Sequence, residues 1–418
     1  MPVADPPAAS LSSPRFPGPA ALRPGLGGIA LLAALAAVGQ FASNVYTPSL
    51  PFVAADLGID AAQAQSTFGV FLLTFAAMQL VYGPLADRFG RRPVLFAALA
   101  LFLAGTIACA VAGSLTELLA ARAVQAAGAA GALIVSRAAT RDSFEGVALH
   151  KAMAAITIVF AVVPGLAPLL GGVTQELAGW RATFWLTLVI GALTAAIAFL
   201  RLPETNRPTG IKLAPGAILS GYGAVLSNRI AMTYSVSVGL VFAAMSAFFA
   251  ASPALFIGHL GVGAAEYGLY PPIAVTGFII GGIVTRRLAG KVSPQRIAAN
   301  GLGIMALALT FMLLLPAAGM VHKHLFNATM VLNVTGLGVF LPTAISQVLA
   351  RFPERAGTAS AMQGFIQMSG GGVGVFVVSA LQPALPIIAM PVVMLSSVLL
   401  AALVFRIGIP VAHAATRS

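Results

Sequence analysis

Residues Gly83-Pro84-Leu85-Ala86-Asp87-Arg88-Phe89-Gly90-Arg91-Arg92-Pro93 form a charged stretch between two long apolar runs. Only 8% of the 418 residues are charged, so one acid beside three arginines stands out. Glycine permits sharp turns and close backbone approach, and Asp87 can sit against a helix N-terminus or an arginine. We therefore predict a tight turn between two helices here.

The composition indicates a membrane protein. Hydrophobic residues make up 59% of the chain and the mean hydropathy is +0.96, whereas soluble domains are about 45–50% apolar. The apolar runs are continuous and do not alternate, which favours helices over a β-barrel. A hydrocarbon layer about 30 Å thick needs ~20 apolar residues per helix. The chain is therefore predicted to be an all-α integral membrane protein.

Twelve apolar runs are long enough to be spans. They lie at 27–47, 65–86, 93–113, 117–138, 152–173, 183–202, 230–252, 267–288, 297–318, 325–349, 358–381 and 384–406. The Pro-, Ala- and Ser-rich residues 1–26 have no signal-peptide pattern and are predicted to be a disordered tail. Residues 407–418 are predicted to be a cytoplasmic tail.

The longest gap between spans, 203–229, divides the chain into six-helix halves at 27–202 and 230–406. The stretch Gly282-x-x-x-Arg286-Arg287-Leu288-Ala289-Gly290-Lys291 partly repeats the loop after Gly83, with an extra residue and without the acid. The repeat is either a trace of parallel duplication or a chance similarity. We predict two pseudo-symmetric six-helix bundles.

The basic residues indicate the orientation. The net charge is +12, but lysine and arginine fall in short clusters between spans and form no single patch, so nucleic acid is not expected as a partner. Outside the spans, only Arg181 and Lys323 lie on odd-numbered loops. By the positive-inside rule, both termini and the 203–229 loop are predicted to be cytoplasmic.

The loop after Gly83 resembles the loop between spans two and three of the major facilitator superfamily, and the resemblance covers residues 27–406. It implies the major facilitator fold and halves that rock about a central site. It also implies a conformational latch in this loop, formed by Gly83, Asp87, Arg88, Gly90 and Arg91.

Three short strings resemble the bicyclomycin and chloramphenicol resistance group of drug:proton antiporters in that superfamily. They are Gln40-Phe41-Ala42-Ser43-Asn44-Val45-Tyr46-Thr47-Pro48-Ser49-Leu50-Pro51, Ser252-Pro253 and Gly357-Thr358-Ala359-Ser360-Ala361-Met362-Gln363-Gly364. Members of the group commonly have an aspartate where Asn44 stands, and that acid carries the proton or pairs with a cationic drug. Gln40 and Asn44 share a helix face.

Arg122 is the one ionisable residue placed well inside a predicted span. A charge at a helix centre costs about 2.5–3.5 kcal/mol, so such an arginine is expected to be functional. The alternative is a side chain that snorkels to the headgroups. Arg122-x-x-Gln125-x-x-Gly128 also resembles the arginine motif of the superfamily's fourth helix, which implies that Arg122 faces the cavity and takes part in coupling.

The fifth span contains Pro164-Gly165-Leu166-Ala167-Pro168-Leu169-Leu170-Gly171-Gly172. Proline removes a helix hydrogen bond and glycine permits tight helix contact, so Pro164, Gly165, Pro168, Gly171 and Gly172 predict a kinked, closely packed helix. The string resembles the GPxxGG signature of facilitator antiporters, with Ala167 in place of its first glycine. The alternative is an ordinary proline kink.

Gln363 and Gln367 lie one turn apart in span eleven, and two buried amides on one face need partners, either each other, another helix or a ligand. We predict that they are substrate-binding residues. No aspartate or glutamate lies inside a predicted span, and the five histidines lie in loops, at span edges or in the tail. A proton must therefore use an edge acid such as Glu117 or Asp87, or act through Arg122. A cavity with an unpaired cation favours neutral or anionic substrates.

The sequence thus predicts a secondary active transporter, most simply a proton-coupled exporter of small amphiphilic compounds. The alternative is an importer, exchanger or facilitator of a neutral or anionic metabolite. A membrane enzyme is disfavoured because the sequence offers no paired carboxylates, no metal-spaced His or Cys and no nucleophile motif with a base. No cofactor or metal is expected. The predicted partners are a small-molecule substrate, protons and the lipid bilayer, and the protein is predicted to act as a monomer in the bacterial inner membrane.

Overall fold

A computed structural model describes residues 26–206 and 215–409, and within these ranges the secondary structure is helical with no strand. The first half contains α1 (Leu26–Asn44), α2 (Leu50–Leu57), α3 (Ala61–Phe89), α4 (Arg91–Val111), α5 (Leu115–Ser143), α6 (Gly146–Ala178) and α7 (Trp180–Arg201). The second contains α8 (Pro215–Leu226), α9 (Arg229–Pro253), α10 (Ala264–Tyr267), α11 (Tyr270–Leu288), α12 (Pro294–Ala317), α13 (Lys323–Leu349), α14 (Ala356–Leu381) and α15 (Ala389–Gly408).

The predicted fold class is confirmed. Among the described residues, eleven helices are long and apolar enough to cross a membrane, and twelve if the bent α6 is one span. Because every predicted run overlaps a long helix, continuous hydrophobicity is a sufficient guide to the spans in this chain.

The two halves repeat the same packing scheme. In the first half α4 packs on α5, α3 on α5 and α1 on α6, and in the second half α12 packs on α13, α11 on α13 and α9 on α14. The halves meet through α3 with α14 and through α6 with α10 and α11. This correspondence is what a parallel duplication of six helices produces.

The first predicted span, 27–47, is wrong in its detail. Helix α1 ends at Asn44, a short 3₁₀ turn covers Thr47–Ser49, and α2 continues the chain to Leu57. Pro48 cannot donate a backbone hydrogen bond, and the Thr47 hydroxyl donates instead to the Asn44 carbonyl at 2.9 Å. The first span is thus a broken helix that extends beyond its predicted end.

Other boundaries also differ from the prediction: α5 and α6 end at Ser143 and Ala178, beyond the predicted ends at 138 and 173. Helix α15 begins at Ala389, five residues after the predicted start, because Pro383 and Pro386 precede it and proline interrupts helices. The predicted 203–229 loop contains α8, whose Tyr222 hydroxyl donates to the Leu80 carbonyl at 3.0 Å. The predicted tails, apart from Leu26 and residues 407–409, lie outside the described residues.

Helix α6 bends by 40° between Gly146–Phe160 and Val162–Ala178. In a regular helix the nitrogen of residue 164 would bond to the carbonyl of residue 160, and Pro164 has no hydrogen to donate. The missing bond therefore lies at the bend.

Candidate functional site

The Arg122 side chain is fully buried in the first half, with 0% of its surface exposed. Its guanidinium carbon lies 4.3 Å from the ring centre of Phe71, 5.1 Å from that of Tyr46 and 5.8 Å from that of Phe184. Among the described residues no carboxylate lies within ion-pair distance. Three aromatic faces therefore surround a buried cation.

Arg122 also contacts the break in the first helix. Its Nη1 donates to the Ala42 carbonyl at 3.2 Å and to Gln125 Oε1 at 2.6 Å. The last carbonyls of a helix lack partners and carry partial negative charge, so a cation placed there stabilises the end of α1. The Nε and Nη2 atoms of Arg122 have no hydrogen-bond partner, which leaves two buried donors available.

Tight packing of α4 against α5 positions Gln125. A Cβ atom built on Gly105 would collide with the Gln125 backbone, so only glycine fits there. The Gln125 amide can then donate to the Thr106 hydroxyl at 2.9 Å. The structure thus brings the predicted pair Arg122 and Gln125 together. The resemblance implied that the Arg122 side chain faces a cavity, but in the structure it is enclosed between helices.

Asn44 and Gln40 meet at the end of α1. The Asn44 amide donates to the Gln40 carbonyl at 2.8 Å and lies 3.5 Å from Gln40 Oε1, while Asn44 Oδ1 has no partner. Both side chains are buried. Asn44 is the last residue of α1 and lies two residues after Ala42, whose carbonyl accepts a hydrogen bond from Arg122. Asn44 stands at the position where the resemblance implied a proton-carrying acid.

The amides predicted in span eleven lie in the second half. Gln363 Oε1 accepts from the Ser235 hydroxyl at 2.6 Å, and Gln363 Nε2 has no partner. Gln367 is also buried. On the facing helix α3, the Gln79 side chain lies against Gly364, where no Cβ would fit. Buried amide donors of Gln79 and Gln363 are thus left unpaired where the halves meet.

A second contact between the halves lies at the opposite end of α3 and α14. The Gln65 amide donates to Gln382 Oε1, and the Ser379 hydroxyl donates to Gln65 Oε1 at 2.8 Å. All three side chains are buried. At the same end Glu176 of α6 accepts the Ala265 backbone N–H at 2.9 Å. The sequence did not indicate these contacts.

The turn at Gly90, between the end of α3 and the start of α4, lies within an ion-pair network. Arg91 donates to Asp87 at 2.5 Å and to Asp142 at 2.9 Å, and the Glu204 carboxylate accepts the Arg91 backbone N–H at 2.9 Å. Gly90 has φ +97°, and a Cβ there would lie 2.8 Å from Glu204. Asp87 thus pairs with an arginine, one of the two options that its sequence position allowed. Asp142 and Glu204 were not predicted.

Two members of the predicted latch make fewer contacts. A Cβ on Gly83 would have nothing within 4 Å, so the expected close backbone approach is wrong at this glycine, which faces open space. Arg88 lies over the Phe89 ring at 5.0 Å and is exposed.

The glycines of the fifth span do make close contacts. A Cβ on Gly165 would collide with the Val275 side chain, one on Gly171 with the Val45 carbonyl, and one on Gly172 with the Ala264 carbonyl. This half of α6 therefore packs against both the broken end of α1 and the second half of the chain. The Pro168 carbonyl lies 2.7 Å from where a Cβ of Gly268 would stand.

Two similarly packed six-helix halves, joined through facing helix pairs and carrying buried unpaired polar groups, define a polytopic transport protein. The chain is 31% identical to Multidrug resistance protein D of Escherichia coli over 355 residues, which cover 82% of this chain and 86% of that protein. It is 27% identical to the Bicyclomycin resistance protein homolog of Haemophilus influenzae over 353 residues, covering 82% and 87%. The sequence profile of the Major Facilitator Superfamily matches residues 30–375.

The chain belongs to the Major Facilitator Superfamily, and the predicted resemblance is confirmed. Among solved structures, a bacterial homologue of the human lysosomal transporter Spinster, inward-facing and occupied, matches with TM-score 0.73. That match covers 91% of this chain and 96% of that one at 17% identity, and it supports the fold alone.

Proposed function

We propose that this transporter exports small amphiphilic compounds from the bacterial cytoplasm across the inner membrane, driven by protons entering the cell. The observation that carries the proposal is the 31% identity, over 82% of this chain, to a relative named Multidrug resistance protein D. In this proposal the latch loop and both termini face the cytoplasm, since nearly all lysines and arginines outside the spans lie on that side.

The exchange between two states would use the contacts where the halves meet. The polar contact of Gln65, Ser379 and Gln382 at one end of α3 and α14 would break when the protein opens outward. The contact between Gln79 and Gly364 lies nearer the latch and would break when the protein opens inward. Rigid halves that break one set of contacts while keeping the other produce alternating access.

The binding and coupling residues in this proposal are Arg122, Gln125, Gln40, Asn44, Gln363 and Gln367. No aspartate or glutamate is buried within the described ranges, so protonation would occur at an edge acid such as Asp87 or Glu117 and reach the interior through Arg122. Because Arg122 has no carboxylate partner, neutral or anionic compounds would be preferred over cations.

Drug-susceptibility profiling of a host that lacks its major pumps, with and without this gene, tests the proposal. Raised resistance to several unrelated amphiphiles is the expected result. Inverted vesicles, in which the cytoplasmic face is outside, should then accumulate such a compound only with a pH gradient that is acid inside. Uptake of a metabolite by intact cells with no change in drug resistance would instead support an importer, and the exporter would be rejected.

A further inference from the structure

The region around the α3–α4 turn and the equivalent region around the α11–α12 turn differ in the acidic residues that accompany their basic residues. In the first half, Asp87, Asp142 and Glu204 surround Arg91. The equivalent region of the second half carries Arg286, Arg287, Lys291 and Arg296. Across residues 267–353 the sequence has no aspartate or glutamate.

All four of these basic side chains are exposed, and within the part of the chain that the structure describes none forms an ion pair. Four positive charges at the end of α11, in the turn that follows and at the start of α12 repel one another, so this region favours an external anion. In the first half Arg91 has Asp87 and Asp142 as partners, whereas these four residues have no acidic partner among the described residues.

A cavity of about 640 Å³ lies beside these charges. It is bounded by the end of α11, the start of α12 and the last turns of α13. Lys291 lines it together with the Ser293 hydroxyl and the Gln347 amide, which can donate hydrogen bonds. The other lining hydroxyls, those of Thr285, Thr343 and Ser346, already donate to backbone carbonyls. Such a combination of donors and a cation suits a phosphate group.

The cavity lies at helix ends, and the helix that leads to it is apolar. In α11, the two turns before Thr285 expose Ile279, Ile280 and Ile283, at 54%, 50% and 42% of their surface. Successive helix residues are about 100° apart, so these isoleucines lie on the other side of α11 from Thr285 and mark where the helix faces lipid. The cavity is therefore at the end of a lipid-facing helix, and basic pockets between helices at a membrane surface suit anionic headgroups.

We propose that the cavity bounded by α11, α12 and α13 binds the headgroup of an anionic phospholipid. Lys291, which lines the cavity, would contact the phosphate, and Arg296, whose backbone N–H donates to the lining Ser293 hydroxyl at 3.4 Å, would add its charge beside it. The site is separate from Arg122 and from the contacts between the halves. The proposal of a lipid site is therefore independent of the identity of the transported compound.

The test uses the full-length protein purified in detergent, with phosphatidylglycerol and phosphatidylcholine added separately and the retained lipid counted by native mass spectrometry. Phosphatidylglycerol should be retained preferentially. The double variant Lys291→Gln/Arg296→Gln should bind it about 30-fold more weakly, since each basic residue near a membrane surface contributes about fivefold. The matched control, Arg201→Gln/Arg406→Gln, removes two exposed charges from the same end of the molecule that form no ion pair with any described residue, and it should bind as the wild type does.

A third variant separates the cavity from the charge. Ser346→Phe fills the cavity while keeping every basic residue, and it should also lose phosphatidylglycerol, with unfolding temperature measured to confirm folding. Equal lipid retention by wild type and the Lys291→Gln/Arg296→Gln variant would overturn the proposal, as would an equal loss in the control. Competition by glycerol 1-phosphate at the same concentration would assign the cavity to a soluble phosphate compound and reject the lipid.

Discussion

Arg122 carries its charge in a region where the described residues supply no carboxylate. Insertion of an arginine at a helix centre costs about 2.5–3.5 kcal/mol. Against this cost, a desolvated cation–π contact contributes about 2 kcal/mol, and a hydrogen bond to a charged group about 1.5–3 kcal/mol. The rings of Phe71, Tyr46 and Phe184 and the Ala42 carbonyl can therefore hold the charge without an acid.

Replacing Arg122 with alanine should abolish transport while the protein still inserts. The lost charged hydrogen bonds correspond to a rate lower by about tenfold or more, because the end of α1 loses its cap. The measurement is transport per molecule in vesicles, normalised to the amount of protein in the membrane. Arg181→Ala removes an exposed arginine paired with Asp56 and is the control. Normal transport by Arg122→Ala would show that this residue has no part in the cycle.

The substitution Asn44→Asp should raise resistance to cationic drugs relative to neutral ones by about tenfold, since a buried carboxylate pairs with a cation. Asn44 Oδ1 has no hydrogen-bond partner, so a carboxylate at this position would be available to pair with a cationic drug. The check is the ratio of inhibitory concentrations for cationic and neutral drugs. Asn44→Leu, similar in size and uncharged, is the control, and an unchanged ratio in Asn44→Asp would contradict the expectation.

At the scale of the element, the sequence located the helices well and their irregularities less well. Long apolar runs identify spans because the bilayer sets their length. The bend in α6 follows from Pro164, whose missing hydrogen bond is a local property. The break after Asn44 depends also on Arg122, a residue 80 positions away, so a local pattern could not predict how the broken end is capped.

The ion-pair network around the turn between α3 and α4 gives a prediction at the same scale. Asp87→Asn should slow transport about twofold to fivefold, since exposed ion pairs contribute little individually, and should lower protein amount much less. Asp87 would no longer neutralise Arg91, which then relies on Asp142. Initial transport rates are the measurement, with Asp56→Asn in the exposed pair with Arg181 as the control. Equal turnover in Asp87→Asn and wild type would remove this aspartate from the latch.

At the scale of the whole molecule, the contacts between the halves could not be predicted from the sequence. Gln65 and Gln382 are 317 positions apart, and in the sequence each is an ordinary polar residue near the end of a span. The duplicated packing follows from twelve spans in two sets, but the residues that meet depend on the way the two bundles face each other. The unpaired amide of Gln363 was predicted in part, because a buried amide requires a partner.

Holding this contact closed should stop transport. We expect that Gln65→Cys/Gln382→Cys on a Cys109→Ala background, joined by a short cleavable thiol crosslinker, loses transport and regains it on cleavage. The physical reason is that the ends of α3 and α14 must separate for the site to open on that side. Each single cysteine variant, treated in the same way, is the control. Full transport by the crosslinked protein would mean that these ends stay together throughout the cycle.

Orientation gives the last prediction. Single cysteines at Ser10→Cys and Pro215→Cys, in the same cysteine-free background, should resist membrane-impermeant thiol reagents in intact cells, since the basic residues favour a cytoplasmic location. Labelling after the cells are opened shows that each cysteine is reactive. Labelling of either position in intact cells would reverse the proposed topology.

The cap on the first helix also has a consequence for biosynthesis. The ribosome completes α1 well before Arg122 is translated, because 80 residues separate Ala42 from its donor. The fourth span is α5, which carries Arg122, and until it enters the membrane the carbonyl end of the first helix lacks its cation. When α5 does enter, only the earlier helices can accommodate its buried charge. The first four spans therefore reach their final arrangement together, after α5 has left the translocation machinery.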